Sequence, residues 1–494
     1  MAPGGLPWGK RWRVGCYATA GMRTQKILNA VVVALVVSVS LPAHAIPAFA
    51  RKYGTSCQTC HTVYPKLTPF GEAFRHNGYR FPGVDSDYWK QDPVALGQEG
   101  YKKSFPNSVW PGIAAGGAPL ALGFNGQATI HPDKGVTGAL ADNGTNFTLQ
   151  DLVGEAHLWA GGSYDDKITY WSEVTFSSDG TISIEKAQVL INDFIGPQHS
   201  VNAIIGRGVA NVSSFGPHSS YMTDTLMPSV MATGLLGSTT GDSFNIGDNY
   251  NFVELNGVVL GGRLMYNVGI SDGQHVDVRP TENVYAHLGY KFGGMRFDGE
   301  GTAGPTDAEH PWAEDAITLD VFAYKSNSHF VTPTGAKAAA ASGGTAVPQM
   351  DPALTLGAGL RAQWGSLELN AGFYGEKHNH ALDPGSVTTT DGAQIVTQYD
   401  ELTYVLFPWM VPGLRLEYTH VAPDGQPSVN LVRVVPGVAF LLRPNIKLLL
   451  TGDIEAADGA PAGGWGGVNG SIAPATAGSI TEFESINIGL YTAW

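Results

Sequence analysis

The sequence predicts a mainly β protein: an antiparallel outer-membrane β-barrel of about 16 strands, with a small α-helical domain in front of it. Three observations predict this fold. Segments of about ten residues, from residue 116 to residue 494, alternate apolar and polar side chains between Gly, Asn, Asp and Pro. The connections between these segments are short and long in turn. The chain ends in an alternating segment, 486–494, that closes on an aromatic residue.

The strand pattern is clearest at 264–271. The apolar side chains there are Leu264, Tyr266, Val268 and Ile270, and the interleaved ones are Met265, Asn267, Gly269 and Ser271. The same alternation recurs at 367–374, 414–419 and 446–455. One apolar face and one mostly polar face are typical of a membrane barrel. A soluble β-sandwich or propeller would also alternate, but no propeller repeat is visible.

The connections carry the second part of the prediction. Tight turns are predicted at 164–166, 261–262, 365, 412–413 and 443–445. Long connections are predicted near 132–149, 211–248, 326–352, 377–397 and 457–481. The connection at 294–315 breaks the alternation, and two more strands would fit there. Aromatic residues near predicted strand ends, where aromatic girdles lie, are Tyr170, Trp171, Trp409 and Tyr418.

Residues 1–45 have the pattern of an export signal. A basic stretch follows Met22, an apolar run covers 27–40, and Ala43-His44-Ala45 is a small-x-small cleavage site. We predict cleavage after Ala45 and favour Met22 as the true start. The apolar run is too short for a membrane-spanning helix.

Charge and composition exclude some classes of partner. The chain has 64 Gly, 30 Pro and 15% charged residues, a composition that favours β structure with many turns. Its net charge is −14, and residues 1–45 contribute only basic groups, so the exported part is still more acidic. A chain of this balance should avoid nucleic acid, and we predict no nucleic-acid partner.

The two cysteines that remain after cleavage lie in Ser56-Cys57-Gln58-Thr59-Cys60-His61. This is the C-x-x-C-H pattern of covalent haem c attachment. Cysteines three apart on one helical turn face the same way, so both sulfurs reach one porphyrin, and His61 follows as proximal iron ligand. A zinc site would need further ligands, and a thioredoxin-like dithiol would need a βαβ context. We therefore predict one covalent haem c in a domain at 46–115.

The second axial ligand is less defined by the sequence. An amphipathic helix is predicted from Pro65, with Leu67, Phe70 and Phe74 on one face and Pro69 in its first turn. His76 follows at once and is the candidate distal ligand. An axial methionine would give a higher potential, and the candidates for it are Met222, Met227 and Met231.

The N-terminal segment resembles the head of the fused outer-membrane cytochrome-porin family. The resemblance covers about 35 residues and rests on 49–53, Cys57, Cys60, His61, Pro65, Leu67, Gly71, Phe74, Gly78 and Tyr79. Members of that family join a monohaem domain to a barrel and move electrons across the outer membrane, the best known as ferrous-iron oxidases. The resemblance implies that Cys57 and Cys60 attach the haem and that His61 is the proximal ligand, and it fixes no distal one.

Taken together, these patterns favour an outer-membrane cytochrome that would pass electrons between an extracellular donor or acceptor, such as Fe(II)/Fe(III), and a periplasmic cytochrome or other carrier. Outer-membrane lipid would surround the barrel, which we expect to cover 116–494. Residues 46–115 are expected to plug the lumen, with the haem edge towards the long loops. Two alternatives remain open: a porin-type channel with a structural or regulatory haem plug, and a soluble haem enzyme such as a peroxidase.

Overall fold

The computed structural model describes residues 48–83, 85–88, 94–95, 99–107, 113–114, 120–131, 146–216, 218–222, 249–272, 283–300, 310–330, 349–382, 391–424, 428–458 and 480–493. The predicted export signal, Met227 and Met231 lie outside these residues. Within the described part of the chain, no helix combines the length and the apolar character that a membrane-spanning helix needs.

Short elements precede the barrel. The helices are α1 (Ala48–Tyr53), α2 (Cys57–Cys60), α3 (Pro69–His76) and α4 (Glu99–Ser104), with a 3-10 turn at Asp85–Tyr88. Two small antiparallel sheets pair β1 (His61–Val63) with β2 (Lys66–Leu67), and β3 (Val94–Ala95) with β4 (Ile113–Ala114).

Sixteen antiparallel strands close into one barrel, as predicted. Each strand pairs with its neighbour along the chain, and the last pairs with the first. The strands are β5 (Leu120–His131), β6 (Asn146–Ser163), β7 (Ile168–Ser177), β8 (Ile182–Ile191), β9 (Asn202–Val209), β10 (Asn249–Val259), β11 (Leu264–Ser271), β12 (Asn283–Gly293), β13 (Glu314–Phe330), β14 (Gln349–Gly365), β15 (Leu367–Leu382), β16 (Asp391–Tyr404), β17 (Met410–Pro423), β18 (Val429–Arg443), β19 (Ile446–Asp458) and β20 (Ile480–Ala493).

The apolar face of the strands points outward. On β13, Val321 is 55% exposed, whereas its neighbour Asp320 is 4% exposed because it faces the lumen. The same alternation sets exposed Val268 against buried Asn267 on β11. A closed barrel with a band of outward aliphatic side chains is stable in a bilayer, where every backbone group must be paired internally. The protein is therefore an outer-membrane β-barrel, and its outer band contacts lipid.

Most connections follow the predicted alternation of short and long. The turns at 164–167, 260–263, 366, 405–409 and 444–445 and the two barrel ends, Leu120 and Ala493, lie at one mouth, which in such barrels is the periplasmic one. The four-residue turn at 178–181 lies at the other mouth. Two predictions for connections are wrong. β12 pairs directly with β13, so no barrel strand lies between them in the described parts of the long connection, 294–300 and 310–313.

The second wrong prediction is the tight turn at Pro412-Gly413. Both residues lie within β17, and the turn falls at 405–409. Pairing of β17 with β16 begins only at Gly413, so Pro412 stands at the end of that ladder. A missing backbone N–H is tolerated at such a position.

The segment 48–83 and 85–88, hereafter the plug, lies inside the barrel. Its polar groups reach the wall in several directions, to Thr169 on β7, Glu368 on β15 and Lys447 on β19. The Nζ of Lys66 lies 2.7 Å from the Oε1 of Glu368, and the Nζ of Lys447 donates to the carbonyl of Tyr64 over 2.7 Å. A polar lumen wall thus holds a polar plug, while the apolar face meets lipid.

A second segment, 210–216 and 218–222, hereafter the inner loop, also enters the lumen. It leaves the end of β9, and its Phe215 ring stacks on Tyr399 with centroids 4.0 Å apart. Ser220 donates to the carboxylate of Glu401 over 2.6 Å, and the Tyr221 hydroxyl donates to the carbonyl of Val411. The plug and the inner loop therefore occupy the lumen together.

Candidate functional site

The two cysteines sit on one short helical turn, as the motif requires. Ser56 caps α2 and its hydroxyl accepts a hydrogen bond from the backbone N–H of Gln58 over 3.3 Å. Cys57 and Cys60 begin and end the turn, both as free thiols. Their spacing places both sulfurs on one side of the helix, facing the same cavity.

The chemistry of the two thiols argues against a reactive dithiol pair. Burial raises the pKa of Cys57 to about 11 and that of Cys60 to about 12. Reactive thiols of redox motifs instead have lowered pKa values, because the thiolate is the nucleophile. These cysteines are therefore neutral at pH 7, unlike the thiolate of a reactive redox pair.

His61 is oriented by its own turn. It lies in β1 opposite Leu67 of β2, and its Nδ1 lies 3.2 Å from the carbonyl oxygen of Pro65, to which it donates in the Nδ1–H tautomer. Burial lowers the pKa of His61 to about 4, so the ring is neutral at pH 7. A neutral imidazole whose Nδ1 donates to a carbonyl has its Nε2 lone pair left for a metal.

Helix α3 backs the attachment turn, but it starts later than predicted. It begins at Pro69, and Leu67 belongs to β2. Thr68 caps the helix: its hydroxyl accepts from the backbone N–H of Gly71 and donates to the carbonyl of Thr59 over 2.7 Å. Proline is favoured at the first helical position, where no backbone donor is needed. The phenylalanines of the predicted face, Phe70 and Phe74, are buried as expected.

Close packing of α3 on α2 gives a prediction for Gly71. A Cβ on Gly71 would lie 2.0 Å from the carbonyl oxygen of Cys60, a backbone atom that cannot turn away. We expect Gly71→Ala to destabilise the plug by about 1–3 kcal/mol and to make it more sensitive to protease in the purified protein. Gly100→Ala is the control, because Gly100 lies in exposed α4 with no atom within 4 Å. Equal protease resistance of the two variants would contradict this packing.

A cavity of about 560 Å³ lies between the plug and the barrel wall. Cys57, Cys60 and His61 border it. It extends from the short-turn mouth, at Pro444 and Asn445, to the long-loop ends of β9 and β10, at 209 and 249. Pockets of about 300–1,000 Å³ hold large organic ligands, so this cavity has room for a cofactor and reaches along most of the lumen.

Aromatic side chains form one wall of the cavity. Phe49 stacks on Trp171 at 5.7 Å and on Tyr79 at 5.8 Å, with interplanar angles of 19° and 16°. Trp171 thus faces the lumen, so its prediction as a girdle residue is wrong. Side chains alternate along a strand, and Tyr170 and Trp171, being adjacent, cannot share a face.

The part of the cavity wall beside these rings is polar. Lys186 donates to Glu173 over 2.6 Å, and His157 lies 3.2 Å from the same carboxylate. Asn202, Asn256 and Asn267 also border the cavity. An aromatic patch beside a polar one suits a flat amphipathic ligand with an apolar body and charged substituents.

Two further histidines border the cavity, His76 and His218. His76, the predicted distal candidate, ends α3, and its Nε2 lies 3.8 Å from Glu72 and 3.5 Å from Arg75. His218 was not predicted, because it lies on the inner loop and no local spacing links it to the motif. Met222 packs among Val63, Val405 and Leu449 in a buried cluster and is not among the cavity-lining residues described.

No protein-family model and no curated protein matches the chain. Among solved structures, the trimer form of OmpT from Vibrio cholerae is 12% identical, over 76% of this chain and 99% of that one, with a TM-score of 0.48. The channel DcaP of Acinetobacter baumannii is 12% identical over 78% and 99%, with a TM-score of 0.44. An anion-selective porin from Comamonas acidovorans is 11% identical over 76% and 98%, at 0.43. Similarities at this level carry no conclusion about what this barrel binds or conducts.

Proposed function

We propose that this outer-membrane barrel is a c-type cytochrome that holds one covalent haem in its lumen and passes electrons between an extracellular donor or acceptor, such as Fe(II)/Fe(III), and a periplasmic carrier. One observation carries the proposal. The C-x-x-C-H residues border a cavity that runs along the lumen of a membrane-spanning barrel.

The residues present fit a covalent haem. Two neutral thiols lie on one helical turn beside a neutral imidazole whose Nδ1 is held by a carbonyl. Phe49, Tyr79 and Trp171 give the cavity an apolar aromatic part, and Lys186, which borders the same cavity, could pair with a propionate. Cys57 and Cys60 would hold the group by thioether bonds and His61 would ligate the iron. When bound, the haem supplies a one-electron Fe(II)/Fe(III) couple.

Placement in the lumen supports a role in electron transfer across the membrane. The hydrocarbon layer is about 30 Å thick, so a haem domain outside the barrel would be insulated from one side. Gln58, between the two cysteines, donates to the carbonyl of Pro408 in a short turn, so the attachment site lies near the periplasmic mouth. The cavity continues from there towards the long loops. An outer donor would lose one electron and the periplasmic carrier would gain it.

A porin-type channel with a structural or regulatory haem plug is the second candidate. Barrels of 16–18 strands can enclose an aqueous channel, and this barrel has sixteen. The described plug and inner loop fill part of that lumen. The two functions therefore differ in what crosses the membrane: electrons in one case, small solutes in the other.

Vesicles that enclose an oxidised soluble cytochrome c and carry the full protein in their membrane distinguish the two. Fe(II) is supplied outside on a polymer-bound chelator that is too large to enter the lumen. The cytochrome function predicts reduction of the enclosed carrier, with little ion current in planar bilayers. Ion current without reduction of the carrier would support the channel and contradict the proposal.

A further inference from the structure

We propose that His218, on the inner loop, is the second axial ligand of the haem iron, opposite His61. The inference rests on the proposed function, because it requires a haem on Cys57 and Cys60. The cofactor site would then combine residues of the plug with His218 of the inner loop, and the plug alone would not complete it.

The backbone brings His218 next to the proximal ligand. The N–H of Leu67 donates to the carbonyl of His218 over 2.8 Å. Leu67 is in turn the residue of β2 directly opposite His61 in β1. The two histidines are therefore separated by a single intervening strand, and both border the same cavity.

The segment that carries His218 is fixed on both sides. The carbonyl of Ser219 accepts from the Nζ of Lys66 over 2.8 Å and from Asn370 over 3.2 Å. The Ser219 hydroxyl also accepts from the backbone N–H of Gly216, over 2.9 Å. Ligands held by surrounding hydrogen bonds are preorganised for a metal, and here the plug and β15 together hold the residue that follows the histidine.

The imidazole of His218 is suited to ligation. It borders the cavity that Cys57, Cys60 and His61 also border.

His76 is a poorer candidate in the same cavity. Its Nε2 lies between the Glu72 carboxylate and the Arg75 guanidinium, at 3.8 and 3.5 Å. Its ring also packs edge-on against Phe297, with centroids 5.1 Å apart. To ligate iron it would have to leave these contacts.

The test uses full-length haem-loaded protein in detergent, with electron paramagnetic resonance and absorption spectra of the ferric state. We expect wild type to be six-coordinate and low-spin with two nitrogen ligands. His218→Ala should lose that signal and become high-spin, and added imidazole should restore it. His76→Gln should keep the wild-type spectrum. His218→Met should keep six-coordination with a raised midpoint potential, since axial methionine raises it.

Other results would overturn the assignment. A His218→Ala spectrum that keeps two nitrogen ligands, or loss of the low-spin signal in His76→Gln instead, would contradict it. A five-coordinate wild type would contradict it too and would favour a peroxidase-like open site. If His218→Ala does not fold, a His218→Met spectrum and potential equal to wild type would be enough to overturn it. Wild type without bound haem would overturn the proposed function itself, which separates the two failures.

Discussion

Replacing Cys57 and Cys60 together with alanine is expected to remove the covalent haem completely and leave the barrel closed. The two sulfurs are the attachment atoms of the motif, and no other cysteine remains after the predicted cleavage. The sixteen-strand ring depends on backbone pairing among residues 120–493, which the substitution does not touch. Haem absorbance per polypeptide in denaturant, together with heat-modified migration of the folded barrel on gels, measures both effects.

Gln58→Ala is the matched control for this substitution. Gln58 lies on the same helical turn and has no thiol, so haem content should equal that of wild type. Each single variant, Cys57→Ala or Cys60→Ala, leaves one thioether and should retain part of the covalent haem. Full haem content in the double variant would show that these cysteines do not attach the group.

The second large effect is expected at the charged anchor between the plug and β15. Lys66 is 1% exposed and Arg361 is also largely buried, and both pair with Glu368, at 2.7 and 3.0 Å. Glu368→Ala would remove this carboxylate from Lys66 and leave Arg361 with Glu72, at 3.3 Å. Breaking a buried pair typically costs about 3–5 kcal/mol, so plug docking should weaken by about 10²–10³-fold or more. Faster proteolysis of the plug and ion current in planar bilayers are the measurements.

Two comparisons make that prediction specific. Glu368→Gln keeps the shape and part of the hydrogen bonding, and should lie between wild type and the alanine variant. Glu300→Ala removes the partner of Arg296 at a half-exposed position, where an ion pair contributes about 0–1 kcal/mol, so its plug should stay docked. A Glu368→Ala protein with the protease resistance and bilayer current of wild type would show that this anchor does not hold the plug.

The barrel could be predicted because its information is local. Side chains in a strand alternate with a period of two, so Val268 against Asn267 already shows which face meets lipid. The attachment turn could be predicted for the same reason. The spacing of Cys57 and Cys60 predicts that both lie on one helical turn, and the structure has them there. The strand number followed from counting such segments, and its one uncertain place, 294–315, was settled by the pairing of β12 with β13.

Contacts inside the lumen could not be predicted, because they join residues far apart in the sequence. Lys66 donates to Glu368, which lies 302 residues further along the sequence, and the N–H of Leu67 donates to the carbonyl of His218. The inward direction of Trp171 follows from the stack on Phe49, a residue of the plug. The helix start at Pro69 was missed for a different reason: the short pairing of β1 with β2 takes Leu67 out of the helix. No local pattern indicated the entry of the inner loop.

The polar lumen wall lets one chain hold a polar insert inside the barrel while its outer face contacts lipid. Arg415 is fully buried between Glu401 and Glu417, at 2.9 and 3.4 Å, under the Phe215 ring of the inner loop. Buried charges cost free energy unless they are paired. Because Arg415 is paired with Glu401 and Glu417, this part of the lumen wall can contact a polar insert. A cofactor held there is screened from lipid by the barrel and can be reached from its mouths.

The intact mass of the mature protein tests the central claim most directly. We expect a polypeptide that begins at Ile46 and carries the added mass of one haem, which should stay attached after denaturation because the bonds to Cys57 and Cys60 would be covalent. A folded barrel whose mature polypeptide has no added mass would contradict the electron-transfer function and leave a porin-like barrel with a protein plug.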